Sequence, residues 1–189
     1  MCSPIYGRLR VTGSVIEATS ALFVSFPPTE GGPDPVPAAV ELIHSTLAAK
    51  GAIGFVYPAL PKRQVRVDAR RNVLDVNYLF GVPARTATEA AAALRQVLVW
   101  TARENVYNRD CNYLVGIRLA PFTLTPAGVD SLDKWRDFWK ATETGSVEGD
   151  VRFHLRAKGD IPQPLRFDRV ENASGEAPGT VGAGQLPLD

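Results

Sequence analysis

The feature that most constrains this chain is an eight-residue segment that recurs four times in its first two-thirds. The four copies align without gaps, and each has Ser or Asn at its sixth place. These sixth places are 31, 27 and 33 residues apart. Repeats with periods of about 20–50 residues are typical of solenoids, propellers and other arrays. The copies cover residues 9–16, 40–47, 67–74 and 100–107.

The residue pattern in and around the copies favours strands over helices. Apolar residues alternate with a period of two, which is strand spacing, and Val, Ile, Phe and Tyr dominate them. Ser or Asn at one fixed place suits a tight corner, where stacked side chains can hydrogen-bond to the next layer. We therefore expect an all-β fold, a right-handed parallel β-helix of about four coils; the alternative is four ordinary strands with chance similarity. The stacked column would contain Ser14, Ser45, Asn72 and Asn105.

The chain divides into three predicted parts. Residues 1–120 would form the coils, with a short helix over residues 90–96 after the Thr86/Glu89 capping box. Residues 121–157 would form a C-terminal cap, in which Asp130 or Ser131 begins a capping helix over about 132–140. Trp135 and Trp139 on that helix are expected to be buried against the last coil. Residues 158–189 are rich in Pro, Gly and charge, which predicts a flexible tail.

Composition excludes several classes of protein. The net charge of +1 gives no global attraction to nucleic acid or to an anionic membrane. No apolar run reaches the roughly 20 residues that span a bilayer, and the N-terminus does not resemble a signal peptide. Two cysteines cannot build a disulfide framework. These features predict a cytoplasmic protein with no nucleic-acid or membrane partner.

Three runs of residues, 99–107, 132–138 and 149–153, together with 65–74, carry a resemblance of pattern. They look like the end of β-helix regions in large bacterial proteins, some of which are attached to serine/threonine protein kinases. The resemblance implies a terminal piece of a longer, kinase-associated solenoid. The chain itself has no Gly-rich loop, His-Arg-Asp or Asp-Phe-Gly motif of a kinase.

One set of charged residues is a candidate binding site. If the copies stack, Glu41 and Asp68 occupy the same place on adjacent coils, about 5 Å apart, and Arg70 and Arg103 stack two places later. Two carboxylates at such a separation occur in retaining glycosidases, and beside arginines they could bind an acidic sugar or Ca²⁺. The alternative is a solvated face on which Arg10 pairs with Glu41.

The cysteines and histidines raise two further kinds of chemistry, nucleophilic catalysis and metal binding. Cys2 would become N-terminal if Met1 were removed, but the Met-Cys-Ser-Pro start departs from the Met-Cys-Gly-Ile of N-terminal-nucleophile amidotransferases. Cys111 could pair with His154 or His44 as a thiol and an imidazole. The spacing of Cys and His fits no zinc site, and no phosphate-binding loop is present. The sequence therefore predicts no catalytic residue, no metal and no cofactor.

Two functions stay open at this level. The first is a non-catalytic β-solenoid that serves as a binding or structural end-piece. The second is a carbohydrate-active enzyme resembling a polysaccharide lyase or hydrolase. Because the first coil begins close to Met1, its strand edges should be open, and we expect self-association or a partner chain there.

Overall fold

Two mainly parallel sheets and two short helices make up the protein in the computed structural model, which describes residues 3–4, 8–18, 21–25, 39–57, 64–119, 121–153 and 167–172. The short sheet has five strands and the long sheet has ten. The short sheet contains β2 (Arg8–Thr12), β5 (Ala39–Ile43), β7 (Val65–Arg70), β9 (Leu98–Arg103) and β13 (Glu143–Thr144). The long sheet contains β1 (Ser3–Pro4), β3 (Val15–Ala18), β4 (Ala21–Ser25), β6 (Thr46–Val56), β8 (Val73–Pro83), β10 (Val106–Asn108), β11 (Asn112–Leu119), β12 (Phe122–Pro126), β14 (Val147–Phe153) and β15 (Phe167–Asn172).

The short sheet reproduces the alignment of the four sequence copies. Its strands are all parallel, in the order β13-β9-β7-β5-β2. Leu9 lies opposite Val40, Val40 opposite Val67, and Val67 opposite Trp100. The repeat found in the sequence therefore corresponds to the register of this sheet.

The long sheet is parallel except at two places. β12 pairs antiparallel with β11, and β15 pairs antiparallel with β14. The prediction of an all-β fold is confirmed at the level of a mostly β chain with parallel sheets. The strand β12 ends at Pro126, opposite Val115 on β11. A proline is tolerated there because, among the described strands, β12 pairs only with β11, and its other edge needs no N–H for a second ladder.

A two-residue corner joins each short-sheet strand to the following long-sheet strand. The first residue of every corner has a positive φ, from 49° at His44 to 65° at Gly145. This left-handed conformation turns the chain sharply, and it favours glycine because a Cβ is crowded there. The five corners are Gly13-Ser14, His44-Ser45, Arg71-Asn72, Glu104-Asn105 and Gly145-Ser146.

The second residues of the corners form one hydrogen-bonded column. The Ser14 N–H donates to Ser45 Oγ at 3.3 Å, and the Ser45 N–H donates to Asn72 Oδ1 at 3.0 Å. The Asn72 and Asn105 N–H groups continue the column, at 3.0 Å each, to Asn105 Oδ1 and Ser146 Oγ. The predicted stacking of the four residues is confirmed, and Ser146 is a fifth member.

The core lies between the two sheets and is closed by the second helix. Helix α2 (Leu132–Trp139) carries Trp135, which is fully buried against Phe80, Trp100 and Tyr113. The predicted burial of Trp135 is confirmed. The predicted burial of Trp139 holds only in part, since its side chain, at the last residue of α2, is partly buried.

Both helices begin with a side-chain cap, as the sequence indicates. Helix α1 (Ala87–Val97) starts three residues before the predicted 90, with Thr86 Oγ1 accepting the Glu89 N–H at 3.1 Å. Ser131, not Asp130, caps α2 by accepting the Lys134 N–H. Asp130 instead forms an ion pair with Lys134.

Several predictions concern residues outside the described part of the chain. Cys2 and His154 lie outside it, as does most of the segment 158–189. Within that segment, residues 167–172 form β15 against β14. In the described part of the chain, neither helix is long and apolar enough to cross a membrane.

Candidate binding face

The outward side of the short sheet carries a cluster of charged side chains. Burial alternates along β2, β5, β7 and β9, so every second side chain points away from the core. We call this surface the arginine face. Its charged members are Arg8, Arg10, Arg66, Arg70, Arg103, Glu41 and Asp68, and its uncharged members are Thr12, Ala39, Ile43, Val99 and Thr101.

The four predicted site residues all lie on this face. Glu41 is in register with Asp68 on the adjacent strand. Arg70 is in register with Arg103 on the next one. The sheet register thus brings the predicted carboxylate pair and arginine pair together.

Both carboxylates of the face are engaged by arginines. Glu41 forms ion pairs with Arg8 and, at 3.5 Å, with Arg10. Asp68 accepts two hydrogen bonds from Arg70, one of them from Nε at 2.6 Å. This bidentate pairing raises the pKa of Arg70, chiefly through the hydrogen bond. The acids therefore balance arginines on their own face.

Two arginines of the face are left without such partners. Among the described residues, Arg66 and Arg103 form no ion pair. Arg103 still lies near Glu104, whose pKa is lowered first by Arg71 and more weakly by Arg103. With five arginines against two carboxylates, the face carries an excess of positive charge.

Sequence reasoning missed Arg8 and Arg66 as members of this face. The signal was present, since both occupy the outward phase of the same strands as Arg10 and Asp68. Extending the period-two alternation one place further toward the start of each strand puts both arginines on this face.

A buried carboxylate inside the protein was also missed. Glu143 is 4% exposed, and its Oε2 accepts hydrogen bonds from Trp100 Nε1 at 2.8 Å and from the Tyr107 hydroxyl at 2.9 Å. Burial raises the pKa of Glu143, and hydrogen bonds from Ser146, Trp100 and Tyr107 offset part of that rise. Its surroundings are packed aromatic rings, so this carboxylate ties β13 to the core.

The thiol candidate is not in an activating environment. Cys111 is fully buried, and burial raises the pKa of its thiol. A reactive cysteine needs the opposite shift, because the thiolate is the nucleophile. His44, one of its two predicted partners, is the left-handed corner residue between β5 and β6.

The described residues contain no group of three or more His, Cys, Asp or Glu side chains that could hold a metal ion. No protein-family model, curated protein or solved structure gives a significant match to this chain.

Proposed function

We propose that this chain is a non-catalytic β-solenoid, a right-handed parallel β-helix, that serves as a binding or structural end-piece. The solenoid is supported by the five equivalent corners, since a solenoid repeats one turn in each layer and stacks the layers through hydrogen bonds. A crystal structure tests this directly. Strands that wind to the left, or two sheets that face each other without winding, would contradict it.

The non-catalytic role rests on one observation, the pairing of both face carboxylates with arginines. Glycoside hydrolysis uses two carboxyl groups that both face the scissile bond. Glu41 and Asp68 instead direct their oxygens at arginines of their own face, so they are suited to orient those arginines.

The second candidate is a carbohydrate-active enzyme, and it is favoured by the register that sets Glu41 beside Asp68. The two candidates are separated by incubating the protein with acidic and neutral polysaccharides and measuring new reducing ends and unsaturated sugar products. We expect no product. Turnover that is lost in both Glu41→Gln and Asp68→Asn, with Asp133→Asn as an exposed control, would establish the enzyme.

A partner at the start of the stack belongs to the same proposal. Among the described strands, β2 ends the short sheet and pairs only with β5. Its other edge offers backbone N–H and C=O groups to an added strand, from a second copy or another chain. Light scattering should detect association that grows with concentration. A stable monomer at high concentration would rule this out.

The wider setting is part of the proposal and has its own test. The resemblance to kinase-attached β-helix regions supports a place within a longer protein, and the buried, unpaired thiol of Cys111 is consistent with the cytoplasm. Reading the frame on both sides of the coding sequence tests the attachment. A neighbouring frame without kinase motifs would remove that part of the proposal.

A further inference from the structure

We propose that the arginine face binds a linear acidic polysaccharide, whose carboxylate or sulfate groups pair with Arg66 and Arg103. The inference rests on the binding role proposed above and names its ligand class. It begins from the two arginines that have no ion pair among the described residues. Guanidinium groups fit planar carboxylates and sulfate oxygens through paired N–H donors.

The positions of these two arginines set the length of the ligand. Arg66 lies opposite Val99, and Arg103 is four residues further along the same strand as Val99. Four strand residues span about 13 Å, and the adjacent strands are about 4.8 Å apart. A single sugar is shorter than the distance between these two strand positions, whereas an oligosaccharide of several units can span it.

The middle of the face suits the neutral part of such a ligand. Asp68 and Thr101 are in register between the two arginines, and Asp68 is balanced by Arg70. A carboxylate accepts hydrogen bonds from sugar hydroxyls, and a threonine hydroxyl can donate or accept. Sugar hydroxyls therefore find partners between the two anionic contacts.

The same residues disfavour a nucleic acid. Single-stranded nucleic acids bind through aromatic side chains on which their bases stack. Among the described residues of the arginine face, the uncharged positions are Thr, Ala, Ile and Val, none of which offers a ring. The carboxylates of Glu41 and Asp68 would also repel phosphates, and a DNA strand has no sugar hydroxyls along its chain to donate to these carboxylates.

The test measures binding of fluorescently labelled polymers to the full chain at low salt. The polymers are a polyuronate, a sulfated polysaccharide, dextran as the neutral control and single-stranded oligodeoxythymidylate. We expect one or both acidic polysaccharides to bind, with affinity rising from monomer to oligomer and falling as salt increases. Comparison of the two acidic polymers identifies the anionic group.

The deciding variant is Arg66→Ser/Arg103→Ser. Loss of two charge-assisted contacts should weaken binding about 100-fold. Arg109→Ser/Arg118→Ser changes the net charge equally at exposed positions of the long-sheet side, and should leave affinity within about twofold. Arg66→Lys/Arg103→Lys keeps the charge without the fork and should fall between the two. If the Arg66→Ser/Arg103→Ser variant does not fold, the lysine variant is compared with the wild type in its place.

Three outcomes would overturn the inference: no binding of either acidic polymer, equal losses in the two serine variants, or tighter binding of the oligodeoxythymidylate. Product release measured on the same mixtures keeps this test apart from that of the proposed function. Product formation would contradict the non-catalytic role, while Arg66 and Arg103 could still carry binding. Absence of binding without product would overturn only the ligand named here.

Discussion

Asn105 Oδ1 accepts two hydrogen bonds from Asn72, one from its backbone N–H at 3.0 Å and one from its side-chain Nδ2 at 2.9 Å. Asn72 Nδ2 also donates to the Leu42 carbonyl at 2.9 Å, while its own Oδ1 accepts the Ser45 N–H. Both asparagines are fully buried. A single side chain thus connects three successive strand-to-strand corners, and its removal leaves buried polar groups without partners.

Replacement of Asn72 by alanine is expected to lower the free energy of unfolding by about 2–4 kcal/mol. The Ser45 N–H and the Leu42 carbonyl would each lose a partner, at about 1–3 kcal/mol per buried group. Asn72→Ser is the matched control, since serine fills the same place at three other corners and keeps an acceptor oxygen. Urea denaturation should rank the wild type above serine and serine above alanine; an alanine variant as stable as the wild type would contradict the role of the column.

Replacement of Trp135 by alanine should cost about 3–5 kcal/mol, because its ring is fully buried in the aromatic core. Trp139→Ala should cost distinctly less, since that side chain is only partly buried. Thermal melting of the two variants checks the order. An unchanged melting temperature for Trp135→Ala would point instead to an exposed platform for a ligand.

Glu143 should make stability depend on pH. Its pKa in the folded protein is raised by burial, so its favourable contribution is complete below the unfolded pKa and is lost as pH rises through the folded pKa. Glu143→Gln keeps an oxygen for Trp100 and Tyr107 and does not titrate. The difference in unfolding free energy between the two proteins should therefore shift in favour of glutamine as pH rises from about 4 to 8. A difference that is constant across this range would show that Glu143 titrates normally, and Asp133→Asn provides the exposed control.

His44→Gly should stabilise the protein by roughly 0.5–1 kcal/mol. His44 has φ 49°, and relief of the left-handed conformation stabilises the folded protein by about 1–2 kcal/mol. The greater flexibility of glycine in the unfolded chain offsets about 0.5–1 kcal/mol of this gain. His44→Ala keeps the Cβ and should give no gain. A glycine variant that melts below the wild type would mean that the imidazole makes a contact worth more than the strain.

Cys111 should resist thiol reagents in the folded protein. Its thiol is buried, and burial raises its pKa, so little thiolate forms near neutral pH. In a Cys2→Ser background, labelling at pH 8 should be slow until denaturant is added. Labelling in native buffer as fast as in denaturant would mean that the thiol is accessible.

The register of the short sheet could be predicted because the repeat is gapless where the strands pair. The fifth corner could not, since only Glu143 and Thr144 precede it as a strand and the interval from Asn105 is 41 residues. Two residues are too few to display a period of two. Strand β12 and helix α2 lie within that interval and interrupt the regular spacing of the repeat.

The position of the candidate site could be predicted from the sequence, but the choice of which arginine pairs with which carboxylate could not. Alternation sets Glu41 and Asp68 on one face, but the choice of partners depends on side-chain rotamers. Arg8 and Arg10 both approach Glu41, while Arg70 turns back to Asp68 on its own strand instead of toward Glu41. Long flexible side chains have several such options, and the strand period does not distinguish among them.

The hydrogen bonds of the corner column all run the same way, from each backbone N–H to a side chain further along the chain. A ribosome releases the chain from its N-terminus, so each of the first four corners emerges with a donor whose partner is made later. The Ser14 N–H has its partner only after Ser45 has been made, and the Asn105 N–H only after Ser146. Each of these corners is therefore completed only after the next one has been translated, and all four donors have partners only once Ser146 of the fifth corner has been made.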